Sequence, residues 1–156
     1  MILFHFISFL TNTNKKKKKK WKNSKIPEKW FAFNWAYDNL SKSSRKYLGS
    51  LPAEVRLEIA GKRILLTHGS PAANDEYIRP STSAERLHEL VELAEADIVI
   101  SGHSHQPFKE KFEGVWFINT GSVGRPDDGD PRACYAIMQI RPRFFQLRHY
   151  RIEYDV

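Results

Sequence analysis

The chain has 156 residues, 41% hydrophobic and 28% charged, which is enough for a domain with a real core. Its single cysteine, Cys134, excludes an internal disulfide and fits a reducing, cytoplasmic compartment, and no apolar run approaches the length of a membrane span. The formal charge of +7 is concentrated at one end: residues 1–25 hold eight lysines and no acidic residue, so residues 26–156 are nearly neutral and offer no basic excess for specific nucleic-acid binding.

The apolar stretch from Met1 to Leu10 precedes the lysine run Lys15 to Lys20, the reverse of the order in a secretory signal. Ten residues do not cross a bilayer, and six adjacent lysines repel one another. Residues 1–25 are therefore expected to be a disordered leader, ahead of a folded region over 26–156. A tether to polyanions is the functional alternative for this leader. It predicts that deletion of 1–25 abolishes such binding.

Globular composition begins with the aromatic cluster Trp30, Phe31, Phe33, Trp35 and Tyr37, which is expected to pack. Asn34 and Ser41 are candidate helix N-caps, and the helix opened by Ser41 stops at Gly49. Val55, Leu57 and Ile59 alternate with charged residues, which predicts a half-buried strand. Ala60-Gly61 then turns into a second strand, Arg63 to Thr67, ending at His68-Gly69-Ser70-Pro71. Thr82 and Glu85 have capping-box spacing before a helix of about four turns whose stripe is Ala84, Leu87, Leu90, Val91 and Ala94. His88 lies off that stripe and faces solvent.

The helix leads into Ile98-Val99-Ile100-Ser101-Gly102-His103-Ser104-His105. Three β-branched residues favour a strand, and a continuous apolar run suits one covered on both faces. Gly102 permits a sharp turn, which then presents His103 and His105. Strand, helix, strand is a βαβ unit, so the His68 and His103 loops should meet at one edge of a parallel sheet. Histidine is the commonest transition-metal ligand, and three of them at neighbouring strand ends favour a metal site over isolated structural histidines. Val115 to Asn119 is a further strand, followed by a glycine-rich loop, Gly121 to Gly124, whose backbone N–H groups suit a phosphate. Asp127, Asp128 and Asp130 lack calcium-loop spacing and read as turn chemistry. Ala133 to Ile140 and Phe144 to Tyr154 alternate around Arg141-Pro142-Arg143 as a closing hairpin, with Cys134 an inert core residue.

The segments Leu-Leu-Thr-His-Gly-Ser-Pro, Ile-Ser-Gly-His-Ser-His-Gln-Pro-Phe and Ile-Asn-Thr-Gly-Ser-Val-Gly-Arg-Pro, in that order, resemble the calcineurin-like metallophosphoesterases, nearest to their small bacterial-type phosphodiesterase branch. The resemblance runs from about Phe33 to Asp155. It implies an α/β fold: a β-sandwich flanked by helices with a two-metal site at strand ends. It further implies that His68 and His103 bind one metal and His105 the other. Manganese is the first choice, with iron, zinc or nickel compatible with imidazole. Phosphoester substrates follow from the resemblance. No catalytic side chain is assignable, and the substrate-binding residues are undetermined.

The family's Asp-x-His, Gly-Asp-x-x-Asp and Gly-Asn-His/Tyr-Asp motifs are missing from this sequence. Gly129-Asp130 is followed by Pro131 and Arg132, with no second aspartate in place. The expectation is therefore the C-terminal half of the domain, a partial sandwich lacking the N-terminal strands. Three neutral histidines do not hold two divalent cations close together without anionic ligands, so a truncated, weakly active or inactive chain with impaired metal binding is predicted. The alternative is a metal-free phosphoesterase-like scaffold that binds a protein partner or a missing half-domain, as the retromer subunit of this fold does.

Overall fold

The apolar run Ile98-Val99-Ile100 forms the middle strand of the larger sheet. The structure is a computed structural model and describes residues 31, 34, 35 and 37–155. The leader 1–25, with Trp30 and Phe33 of the aromatic cluster, lies outside the described residues. The chain divides into two compact units, with the boundary between Ala53 and Glu54.

In the first of these along the chain, residues 31, 34, 35 and 37–39 are helical, and α1 (Lys42–Gly49) follows. Ser41 is the N-cap as expected, its Oγ accepting from the Ser44 N–H at 3.0 Å. Asn34 is within a helical stretch and is not a cap. Phe31 and Trp35 are 66% and 60% exposed, so these two aromatics do not pack as expected.

The second unit contains β1 (Glu54–Ile59), β2 (Lys62–Thr67), α2 (Ala84–Ala94), β3 (Ile98–Ser101), β4 (Phe108–Phe112), β5 (Val115–Asn119), β6 (Ala133–Arg141) and β7 (Phe144–Ile152). Five strands form one sheet in the order β1-β2-β3-β5-β4, and β6 and β7 pair separately. β2, β3 and β5 run parallel, and β1 and β4 close the two edges antiparallel.

Strand alternation explains the uninterrupted apolar runs. Leu65, Val99 and Phe117 point to one face, where Leu87, Leu90 and Ala94 of α2 cover them. Ile64, Ile98 and Ile118 point to the other, against Ala136 of β6 and Leu147 of β7. The result is a helix, a mixed sheet and a hairpin in three layers, an α/β sandwich as expected. Each of these buried aliphatics contributes roughly 1.5–3 kcal/mol by leaving water.

Three local expectations need correction. α2 has 11 residues, about one turn fewer than expected, and its N-cap is Ser83, which accepts from the Arg86 N–H. Thr82 instead accepts from the Arg79 N–H at 2.9 Å. β1 is a strand as expected, yet Leu57 and Ile59 are exposed and only Val55 of the alternating set is partly buried. β4 was not anticipated, since Phe-Lys-Glu-Lys-Phe offers only two apolar residues. Among the described residues no helix is long and apolar enough to cross a membrane.

Candidate metal centre

The register Ile64↔Ile98 through Leu66↔Ile100 brings β2 and β3 to an end together. The two loops are then joined by one carbonyl: His68 O accepts from the N–H of Gly102 at 3.0 Å and of His103 at 2.9 Å. This fixes the backbone beneath both rings. His68 Nε2 lies 3.0 Å from His103 Nδ1, with ring centroids 4.7 Å apart in an edge arrangement. His68 is buried and His103 half-buried. Burial holds the His103 imidazole below its ordinary pKa, against the opposing effect of a ring N–H donated to the Asp75 carbonyl, so the ring is biased to its neutral, lone-pair-bearing form.

The loop after His68 is built for close approach. A Cβ on Gly69 would meet the Ala73 carbonyl oxygen at 2.4 Å and the Asn74 backbone at 2.7 Å, so only glycine fits. Buried Ser70 turns the loop: its Oγ accepts from the N–H groups of Ala72 and Ala73 at 3.0 Å and donates to Glu76. Glu76 pairs with Arg86 of α2 at 2.7 Å. That arginine, then Ser70, holds the Glu76 carboxyl below the usual carboxylate range despite partial burial. The His68 loop is thus anchored to the helix.

The His103 loop is anchored from the opposite side. Asn119, 1% exposed at the end of β5, donates through Nδ2 to the Gly102 carbonyl at 2.8 Å and to Ser104 Oγ at 2.9 Å. Its Oδ1 accepts from the Gly121 N–H at 2.9 Å. His105 has a left-handed φ of +58°, and its Nδ1 donates to the Arg125 carbonyl at 2.6 Å. An Nδ1–H donated to a carbonyl puts the ring lone pair on Nε2, a tautomer that suits metal ligation.

The structure therefore brings His68 and His103 together, with His105 two residues further along the same turn. Two imidazole nitrogens about 3 Å apart match adjacent positions around a divalent ion with bonds of about 2.0–2.1 Å. Among the described residues, however, no three His, Cys, Asp or Glu side chains converge as a metal cluster. The pair fits part of one ion's coordination; the donor set for two ions is not met by the described residues. The sequence reading missed Ser70, Glu76, Arg86 and Asn119. Asn119 carried a signal, as a polar residue closing an apolar strand before a glycine turn.

The profile of the calcineurin-like phosphoesterase superfamily domain matches residues 32–143, and the chain belongs to that family. The chain is 29% identical over 142 residues to an uncharacterized protein of Methanocaldococcus jannaschii, covering 80% of this chain and 55% of that protein. It is 33% identical over 87 residues to a probable metallophosphoesterase of Methanothermobacter thermautotrophicus, covering 56% of this chain and 46% of that protein. It thus spans about half the length of these curated relatives. The fold is similar to that of a hypothetical protein from Pyrococcus horikoshii, with a TM-score of 0.78 at 19% identity over 96% of this chain and 61% of that one. Members of this family typically bind divalent metals, and the family implies metal-dependent phosphoester hydrolysis.

Proposed function

We propose that this chain carries the histidine side of a phosphoesterase metal centre, with His68 and His103 holding one divalent ion and His105 directed at a second. The 3.0 Å approach of the first two rings at the ends of adjacent parallel strands carries this reading. Manganese is the preferred ion, with iron, zinc or nickel compatible with imidazole. A divalent ion there supplies positive charge to polarise a phosphoryl oxygen. The chain's own contribution is positional: the His68 carbonyl fixes both loops, burial keeps His103 neutral, and the Arg125 carbonyl orients His105.

The two-ion arrangement needs carboxylates between the cations, and the motifs that supply them in the family are missing from this sequence. We therefore propose weak turnover or none for this chain by itself, as the C-terminal half of a domain over residues 26–156 whose remaining ligands come from another half-domain. A single buried thiol, Cys134, fits a cytoplasmic setting. The test is manganese binding and hydrolysis of bis(p-nitrophenyl) phosphate by the full chain and by H103A. Manganese affinity should fall at least about tenfold in H103A, together with any turnover. Unchanged affinity in a folded H103A would end the metal reading.

A metal-free protein-binding scaffold is the second reading. It is favoured by the apolar side chains that β6 and β7 leave outside: Ile137, Phe144 and Ile152 are 46%, 45% and 52% exposed. A stoichiometric partner retained in the presence of chelator supports this reading; a partner released by chelator argues against it.

A further inference from the structure

The segment Tyr77-Ile78-Arg79 lies beside the histidine pair. Ile78 is buried in the core under α2, while Tyr77 is exposed and Arg79 half-buried. The Arg79 guanidinium lies over the Tyr77 ring, 4.2 Å from its centroid. Tyr77 also stacks on His103, with centroids 4.4 Å apart and planes at 14°. A cation is thus held one aromatic ring away from the imidazole of the candidate centre. Its backbone is clamped as well: the Arg79 N–H donates to Thr82 Oγ1 and its carbonyl accepts from the Thr82 N–H, each at 2.9 Å.

What distinguishes this arginine is a buried Nε–H with no hydrogen-bond partner among the described residues. Arg56, Arg63, Arg86, Arg132 and Arg151 each pair with a carboxylate. Among the described residues the Arg79 guanidinium has no hydrogen-bond or ion-pair partner, and its Nε–H is buried. A buried unpaired N–H is disfavoured, and a guanidinium held in a fixed plane beside a cluster of neutral rings is complementary to a forked oxyanion.

We propose that Arg79 is a phosphate-binding residue that holds an anionic phosphoryl group of the substrate beside His103. This rests on the phosphoesterase reading for its substrate, but the oxyanion contact itself needs no metal. The closing experiment separates the two. The full chain, stripped with EDTA, is titrated with inorganic phosphate while the Arg79 Nε–H resonance is followed by NMR; burial should slow its exchange with water enough for it to be seen.

The expected result is a saturable shift of that resonance, and phosphate binding weakened about tenfold or more in R79Q. A resonance that does not move in the wild-type chain overturns the proposal, whatever the variant does. So does R79Q binding phosphate as the wild type does. If H103A loses manganese-dependent turnover while R79Q changes neither phosphate binding nor KM, the hydrolase reading survives and the Arg79 assignment fails. If phosphate shifts Arg79 and a folded H103A binds manganese as the wild type does, the assignment stands and the metal reading fails.

Discussion

Gly121 shows how tightly the loop after β5 is fitted. Its φ is +75°, and a Cβ there would sit 2.6 Å from Cys134 Sγ and 2.8 Å from Cys134 Cβ. Burial raises the Cys134 thiol pKa, so it stays a neutral packing group. G121A therefore meets both a left-handed backbone and a filled core, and should lose about 2–4 kcal/mol in a urea unfolding experiment. G124A, where a Cβ meets open space and the backbone carries no positive φ, is the control and should stay within about 0.5 kcal/mol of wild type. Equal losses for the two would mean that contact with Cys134 is not what selects glycine at 121.

At the level of the elements, α2 is tied to the β4–β5 turn by His88 and Glu113, whose Nδ1 and Oε2 are 2.8 Å apart. The bond to Glu113 raises the His88 pKa above its ordinary 6.5. A raised folded-state value means that the contribution to stability is present below about 6.5 and is lost as pH rises through the folded pKa. NMR titration should place His88 above 6.5, and E113Q should return it toward that value. The stability gap between wild type and E113Q should close on the alkaline side. A His88 titration unchanged in E113Q would refute the link.

The same elements mark what a sequence discloses. β2, β3, β5 and α2 were legible because burial on both sheet faces demands uninterrupted apolar runs and a helical stripe. Ser41 was legible as a cap because capping is local. The His68–His103 proximity was legible from the βαβ order, which sets parallel strand ends side by side. β4 was not, because an edge strand of alternating Lys and Glu has little apolar signal. Nor was the N-terminus of α2: Thr82 and Ser83 are both acceptable caps locally, and the Arg79 N–H claims Thr82. The Ser70–Glu76–Arg86 and Tyr77–Arg79 contacts depend on how a loop folds against a helix, which no periodicity encodes.

Over the whole second unit, one sheet carries the site at the carboxyl ends of its parallel strands, while α2 and the β6–β7 hairpin cover its two faces. Its edge strands are charged: β1 alternates Glu54, Arg56 and Glu58, and β4 presents Lys109, Glu110 and Lys111. Charged edges disfavour strand addition, so self-association should be sought on the outer face of the hairpin. Sedimentation of the wild-type chain and of I137K with I152K tests this. Any self-association should vanish in the double variant, and its persistence would move the contact elsewhere.

Asn119 has a kinetic counterpart to its three amide bonds. The N–H groups of Gly102, His103 and Gly121 belong to turns, where deuterium normally replaces hydrogen quickly. Here two are donated to the carbonyl of buried His68 and one to Oδ1 of buried Asn119. Their exchange should require the same opening that exposes β3 and β5, so these turn amides would keep their protons about as long as the central strands do. The histidine loops would then be part of the slowest-opening portion of the molecule, and a ligand arriving at His68 and His103 would meet rings already in place.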